Sequence, residues 1–508
     1  NSLLLTQLVS RLRKRHELTL PLSGALASPV LGDWFALAGE VATTDGATDA
    51  LAVPELKPAM PIMVAPSGEL APIAGLQRFL ERRRTVVLHQ WNLSTMLESV
   101  APLDMERLRA ATLAVVNHHD MLRARVAVEQ GRLRVEVPEP FVDAPLELID
   151  LSHIGEERLA CEIEARAAAL QAGFDLGEGR LFRVALFRCG DGRPARVMAY
   201  AHHFITDGLS WTIMLSDLQS AYRQLAEGAP VRLPESTSSY RHWAAAMHAR
   251  ANDPSFIERT NDWQALPWER LKEIPLVGGG TAPNLNASAA AVEATLGEAA
   301  SLRLAAQSER GVTVEEVALV ALGRVIARWA ESGAALIDVM GLGRDVTESF
   351  DVSRTVGYFN SYAPVMFLPR AEEPIEAVLE DCCAEVRSWL ERGNEHDLLR
   401  HITENEKVTR SMAALPLARI LFNYIGQLKS SNDGVLDDTL WAVASESPGA
   451  GHSPNSSRDH AIAVRLEQDD GVFLATFVYS RSLHDEATIE RLRDDFIAEL
   501  DLACTARG

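Results

Sequence analysis

The chain of 508 residues has few cysteines, a shortage of positive charge and no long apolar run. Its 49 lysines and arginines face 70 aspartates and glutamates, and the net charge of −21 argues against nucleic acid or an anionic membrane surface as the main partner. No apolar run approaches the roughly 18 residues of a membrane-spanning helix, and the first residues show no secretory leader pattern. The five scattered cysteines fit a reducing compartment better than a disulfide framework, which predicts a cytoplasmic protein.

The remaining composition is that of an ordinary globular protein, 47% hydrophobic and 23% charged, which can form a core without disulfides. From about residue 71, strand and helix patterns alternate in two successive halves, which predicts two similar α/β lobes. Predicted strands lie in 121–126, 133–137, 181–189, 195–200, 335–341, 355–368, 417–424 and 472–479, and predicted helices in 106–118, 156–172, 208–225, 314–329, 375–390 and 489–502. Residues 228–290 are rich in proline, serine, tryptophan and glycine, which predicts an irregular segment between the halves.

The first 69 residues have a different character from the rest. Residues 2–16 predict an amphipathic helix, and short elements after it suggest a small helical bundle over 1–42 whose first helix is missing. Because the chain opens in mid-helix, we expect it to be cut from a longer polypeptide. Residues 43–69, punctuated by Pro54 and Pro58, predict a linker.

The strongest chemical signal is His202-His203-Phe204-Ile205-Thr206-Asp207-Gly208, which follows a predicted apolar strand and opens a predicted helix. Histidine is the side chain best matched to proton transfer near neutral pH. Adjacent side chains of an extended strand end point in opposite directions, so one histidine can face a channel while the other turns inward.

This motif resembles the HHxxxDG signature of the condensation superfamily of non-ribosomal peptide synthetases, and the likeness extends over about residues 70–505. Other segments agree with family patterns: 89–92 with an HxxNQ-type stretch, 117–125 with RHExLRxRF, 353–359 with SRTVGWF, and 421–427 with FNYLGQ. The last two patterns are typical of the epimerization branch of the superfamily. The resemblance implies epimerization of the Cα of an aminoacyl or peptidyl thioester.

The resemblance also implies a fold of two chloramphenicol-acetyltransferase-like lobes in a V shape, over residues 70–250 and 251–508. A channel between the lobes would admit a pantetheine arm. His203 would then be the chemical residue.

The other motif residues would support the site in this reading. His202 and Asp207 would mainly hold the loop, with Gly208 as structural support. Arg344 is the expected partner of Asp207, because a buried carboxylate needs a cation or hydrogen-bond donors.

The N-terminal residues Asn1-Ser2-Leu3-Leu4 resemble the end of the GG(H/N)SL motif of peptidyl carrier domains. By that likeness Ser2 would carry a covalent 4′-phosphopantetheine, and a helix N-terminus suits a phosphodiester because it favours anions. The partners implied are a carrier-bound aminoacyl or peptidyl thioester and the adjacent adenylation and condensation domains of a synthetase.

One segment departs from the epimerization pattern EGHGRE, since residues 340–345 read Met-Gly-Leu-Gly-Arg-Asp. Met340 replaces the first Glu, and Leu342 replaces the inner His. Inversion at Cα needs a proton-handling group on each face, and such a group contributes about 10²–10⁴-fold, or roughly 3–5.5 kcal/mol of barrier. A methionine cannot supply it.

Three readings therefore stay open. The domain could be an epimerase with a substitute group, namely Tyr424, Asp345 or a water. It could be an inactive epimerization-like spacer or carrier dock. It could also be diverted to condensation, in which His203 positions an amine or hydroxyl against a thioester.

Two further patterns suggest no additional site. The pairs 118–119 and 202–203 lack a cysteine or a second ligand pair at zinc spacing, so no metal is predicted. The run of arginines at 82–84 predicts a solvated helix face.

Overall fold

The computed structural model describes residues 68–83, 87–276, 282–344, 351–427 and 440–505. The predicted carrier bundle, its Ser2, nearly all of the linker and Asp345 lie outside these residues. Within them, no helix combines the length and apolar character needed to cross a bilayer.

The first half of the described chain contains both strands and helices. The strands are β1 Gly68–Glu69, β2 Asn92–Ser99, β3 Arg125–Glu129, β4 Arg132–Val137, β5 Leu146–Asp150, β6 Phe182–Arg188 and β7 Arg196–His202. The helices are α1 Ala74–Arg82, α2 Met105–His118, α3 Glu156–Gln171, α4 Gly208–Ala226, α5 Tyr240–Ala251, α6 Pro254–Ile257 and α7 Thr260–Gln264.

The second half repeats this mixture. Its strands are β8 Ala289–Thr295, β9 Ala335–Gly341, β10 Ser361–Phe367, β11 Ile420–Gln427, β12 Trp441–Val443, β13 Ile462–Asp469 and β14 Val472–Ser480. Its helices are α8 Glu298–Ala305, α9 Val314–Ala330, α10 Ile375–Leu390, α11 Glu395–His401, α12 Glu406–Ala413 and α13 Glu486–Thr505.

Two large sheets organise these elements. One has five strands in the order β12-β2-β7-β6-β5, and the other has six in the order β10-β9-β11-β13-β14-β8. Strand β11 runs parallel to β9 and β13, and β5 runs parallel to β6, whereas the other neighbours in these sheets are antiparallel. Each sheet is packed with helices, and this confirms the predicted α/β class.

Strand β12 crosses from the second half of the chain to the first sheet. It pairs antiparallel with β2, Trp441 opposite Ser99 and Val443 opposite Leu97. Trp441 is fully buried there, with its ring centroid 6.0 Å from that of Tyr222. We call residues 440–453 the crossover segment. No sequence pattern indicates this strand, because three residues are too few to show a period.

A buried charge network joins α1 to the second half. Arg78 of α1 forms ion pairs with Asp338 of β9 and, at 2.9 Å, with Asp397 of α11. His460 Nε2 lies 2.6 Å from the Asp338 carboxylate. Each of these side chains is buried, so the network fixes α1 against the second sheet.

Two segments differ from what the sequence predicts. A strand is predicted over 121–126, but Asp120–Arg123 form a 3-10 turn and β3 begins only at Arg125. The irregular segment 228–290 contains helix α5, which Ser239 caps and which buries Tyr240. Short apolar runs do not separate a strand from a buried turn, and the proline-rich flanks of α5 hide its helical period.

Candidate functional site

His202 ends strand β7 and points into the protein. Its Nε2 lies 2.7 Å from the Leu88 carbonyl oxygen and therefore donates, while Nδ1 accepts from the Phe204 amide at 3.2 Å. Burial lowers the pKa of His202 to about 3. Both ring nitrogens are engaged and the imidazole is neutral, so His202 holds the turn and cannot reach a substrate.

His203 has the opposite orientation, and within the described residues one of its ring nitrogens is hydrogen-bonded. Its Nδ1 lies 2.7 Å from the Thr206 carbonyl oxygen, and a carbonyl only accepts, so Nδ1 carries the hydrogen and Nε2 keeps its lone pair. The ring is partly buried and stacks on the Trp91 ring, with 4.4 Å between the ring centroids. It also packs edge to face with the Tyr358 ring, with 5.5 Å between the centroids. Burial lowers the pKa of His203, which keeps it a neutral base.

Asp207 follows this turn and binds α4 to a segment of the second half. Its Oδ1 accepts from the Ser210 amide at 2.7 Å, as a helix N-cap does. The same carboxylate accepts from the Phe359 amide at 3.1 Å and from Arg344 Nη2 at 3.1 and 3.2 Å. The predicted pair of Asp207 with Arg344 is therefore present, and both side chains are buried.

Arg344 organises the segment that resembles SRTVGWF. Its Nη1 donates to the carbonyl oxygens of Val352 at 2.7 Å and Thr355 at 2.9 Å, and its guanidinium lies 3.9 Å over the Phe359 ring. Gly343 precedes it with φ +63°, and a Cβ there would come within 1.8 Å of the Phe359 oxygen. Only glycine can adopt this backbone conformation so close to the Phe359 carbonyl oxygen. The turn at Gly343 directs the Arg344 side chain towards Asp207.

Gly208 begins α4 beside this pair and is exposed. A Cβ added to it would meet no atom of the described chain within 4 Å. The structure thus leaves open space in front of Gly208 and gives it no packing contact that explains the expected supporting role.

Tyr424 is not brought to His203. It lies on the same face of β11 as Phe422, which pairs with Val339 of β9, whereas Met340 points to the other face of that sheet. Burial and the Glu315 carboxylate on α9 raise the pKa of Tyr424 to about 12. Tyr424 therefore faces the helix layer, and we do not retain it as the second proton-handling group.

Met340 does lie on the side of the site. It shares its face of β9 with Asp338 and pairs with Tyr362 of β10. The hydroxyl of Tyr362 is hydrogen-bonded to that of Tyr358, whose ring edge meets His203. Met340 is thus connected to the histidine through these two tyrosines, by strand pairing, a hydroxyl hydrogen bond and a ring contact.

The arginine run is not the solvated helix face that the sequence predicted. Arg82 is buried and donates to the Ala418 carbonyl at 2.6 Å. Arg83 Nε lies 2.5 Å from Asp459 Oδ1, with both side chains largely buried. This prediction was wrong for both residues, because their partners lie more than 300 positions away in sequence.

The His118-His119 pair gains a partner that its sequence neighbourhood does not indicate. His119 Nε2 lies 2.8 Å from Asp217 Oδ2, and the three residues place ligand atoms within 4.8 Å of one another. Arg354 donates to the other Asp217 oxygen at 2.6 Å. Since that guanidinium already neutralises the carboxylate, the cluster is explained as a buried ion-pair network.

Comparison with known sequences gives a consistent picture. A family model described as "Condensation domain" matches residues 84–506. A linear gramicidin synthase of Brevibacillus parabrevis is 31% identical over 431 residues, which are 84% of this chain and 8% of that protein. Chondramide synthase cmdD of Chondromyces crocatus is 30% identical over 434 residues, 84% of this chain and 11% of that protein. The chain thus spans a small part of these relatives.

Solved structures agree in fold. The epimerization domain from the third module of tyrocidine synthetase B superposes with a TM-score of 0.73 at 25% identity, covering 86% of this chain and 96% of that one. The first condensation domain of the calcium-dependent antibiotic synthetase superposes with a TM-score of 0.61 at 18% identity, covering 87% and 98%. The second likeness shows the fold alone.

Proposed function

Because the chain belongs to the condensation-domain family, we propose that it serves non-ribosomal peptide synthesis by epimerizing the Cα of a thioester-bound aminoacyl or peptidyl group. The observation that carries this proposal is the Nδ1 hydrogen bond of His203, which leaves a neutral Nε2 free in a partly open site. The likeness to a tyrocidine synthetase epimerization domain supports this branch of the superfamily.

In the proposed reaction, His203 Nε2 takes the proton from the substrate Cα. The neighbouring thioester carbonyl accepts the electron pair of the broken C–H bond as an enolate. A proton returned to the opposite face restores the C–H bond with inverted configuration, and no net proton is gained or lost. His202 and Asp207 act as positioning residues, because they hold the turn that presents His203.

The substrate would arrive on a phosphopantetheine arm. Ser2 is our proposed attachment point within the partial carrier domain, and neighbouring adenylation and condensation domains would load and receive the substrate. The curated relatives are peptide synthetases of much greater length, which agrees with a domain that works among others.

Condensation is the second candidate, and Met340 favours it. Acyl transfer needs only one base: Nε2 of His203 would take a proton from an attacking amine as the C–N bond forms and the thioester C–S bond breaks, and the departing thiolate would take a proton in turn. The absence of a carboxylate at residue 340 would not impair this reaction.

A single assay separates the two. An L-aminoacyl group is loaded on the restored carrier domain, the protein is incubated in heavy water, and Cα deuterium and product chirality are measured by mass spectrometry and chiral chromatography. We expect deuterium uptake together with the D-isomer. Peptide bond formation with a supplied acceptor amine, without Cα exchange, would replace epimerization with condensation.

A further inference from the structure

We propose that His452, on the crossover segment, is the second proton-handling residue of the site and replaces the carboxylate that Met340 has displaced. This inference rests on the proposed epimerization. It arises from the position of His452 in one row with Trp91 and His203, although the two histidines are about 250 residues apart in sequence.

The backbone fixes one side of the row. The Asn92 amide donates to the Gly451 carbonyl at 2.8 Å, and the Ser453 amide donates to the Gln90 carbonyl at 3.4 Å. Between these bonds, Trp91 and His452 form an antiparallel bridge as a non-hydrogen-bonded pair. Side chains of such a pair project from the same face and lie close together.

On the other side of Trp91 lies the active-site residue His203. The His203 amide donates to the Trp91 carbonyl at 2.7 Å, and the two rings stack at 4.4 Å. Trp91 therefore stands between the two histidines. The Cα atoms of the non-hydrogen-bonded Trp91–His452 pair are about 4.5 Å apart, and the His203 ring stacks on the Trp91 ring, so the two imidazoles are close enough to approach one substrate carbon.

Gly451 allows the crossover segment to pack closely against β2. A Cβ at that position would come within 2.4 Å of the Asn92 carbonyl oxygen, so a side chain would push the crossover segment away from β2. The position of His452 is thus set by the packing of the strand beside it.

His452 is exposed but lies close to other titratable groups. The surrounding protein, Arg83 and His203 together lower its pKa to about 4. Asp459, which is paired with Arg83, is the carboxylate that faces the group. The imidazole ring makes no hydrogen bond within the part of the chain that the structure describes.

The chemistry needs one proton on the histidine pair. With a pKa of about 4, His452 is neutral at rest and takes up a solvent proton in the course of the reaction. His203 then takes the Cα proton from one face while the protonated His452, a strong acid beside the enolate, gives its proton to the other. The two groups have then exchanged states, and proton exchange with solvent resets them. The reverse assignment converts the opposite enantiomer.

The test measures exchange and inversion separately for each enantiomer. L- and D-aminoacyl carrier substrates are incubated in heavy water with the wild type, His203→Gln and His452→Gln. We expect the wild type to exchange and invert both. Each variant should lose inversion by at least tenfold, and each should retain Cα exchange with one enantiomer, a different one for the two variants. His153→Gln, at an exposed histidine outside the row, is the matched control and should behave as the wild type.

The outcomes are distinct. Inversion by His452→Gln at the wild-type rate would overturn the role of His452 and leave the proposed epimerization standing. A wild type that exchanges neither enantiomer would overturn both. Thermal melting of His452→Gln should match the wild type, since the side chain is exposed, and this shows that lost inversion does not reflect unfolding.

Discussion

Hydrogen bonding separates the tasks of two adjacent histidines. In His202 both ring nitrogens are bound by the backbone, whereas in His203 a single bond to the Thr206 carbonyl leaves Nε2 free. Strand alternation predicted that one ring would turn inward and the other outward. The sequence alone does not tell which ring does so, because that depends on the carbonyl of Leu88, over 100 residues away.

The buried His202 should make stability depend on pH. Its pKa is about 3 in the folded protein and about 6.5 when unfolded, so the unfolded chain binds the proton more readily as the pH falls below 6.5. This difference in proton binding lowers the free energy of unfolding at pH 5 by about 2 kcal/mol relative to pH 7.5. Urea unfolding of the wild type and His202→Gln at both pH values measures it. If the free energy of unfolding changed equally with pH in the two proteins, the lowered pKa of His202 would be contradicted.

Met340 provides a gain-of-function prediction. A carboxylate at residue 340 would stand on the face of β9 that lies towards the site, so Met340→Glu should restore inversion to the His452→Gln variant. We expect at least a tenfold gain, about 1.4 kcal/mol of barrier. Chiral analysis of the thioester product measures it.

The control for that variant is Met340→Gln, which has nearly the same shape but no carboxylate and should give no gain. Leu342→His added to Met340→Glu should improve the rate further if the family's inner histidine supports the acid. Rates unchanged in every combination would mean that residue 340 does not reach the substrate.

At the scale of elements, the Asp207 carboxylate is one of the groups that hold helix α4 to segment 351–359. Asp207→Ala would leave the buried Arg344 guanidinium without its ion-pair partner, and we expect a loss of about 3–5 kcal/mol in unfolding free energy. His203→Ala, at a partly exposed ring, should cost less.

The double variant Asp207→Ala/Arg344→Met distinguishes ion pairing from loss of the helix cap. It should recover part of the stability, because it removes the uncompensated charge as well. Additive losses in urea unfolding would show that the two side chains stabilise the fold independently.

Long elements with a clear hydrophobic period could be predicted from the sequence. The face of a sheet on which a given side chain lies could not be predicted in this way. Helix α10 and strand β9 have their predicted bounds, since their apolar patterns extend over several turns or the whole strand. Tyr424 was correctly placed in a strand, but its face is set by pairing with β9, which sequence alternation alone does not specify. Local pattern thus identifies elements, and tertiary pairing decides which side chains reach the site.

Across the whole molecule, the network around Arg78 fastens the two halves. Arg78→Met would leave Asp338 and Asp397 buried without this cation, and we expect a loss of about 3–5 kcal/mol in unfolding free energy, measured by chemical denaturation. Arg166→Met, which removes a surface pair with Glu162, is the control and should change stability by less than about 1 kcal/mol.

The site itself combines contiguous and distant residues. The motif at 202–208 was visible because its members are adjacent, and Arg344 was found through the family resemblance. No role was predicted for Trp91, Tyr358 or His452, because each belongs to a separate segment and joins the site only through sheet pairing and ring contacts.

The pairing of β12 with β2 also imposes an order on biosynthesis. Strand β2 leaves the ribosome more than 300 residues before Trp441–Val443 are made. At about 5–20 residues per second, its outer edge stays uncovered for roughly 20–70 s, a period in which an open strand can recruit a wrong partner. A recombination junction between the halves would join a β2 and a β12 that did not evolve together. Hybrid synthetases should therefore be more soluble when both segments come from the same parent.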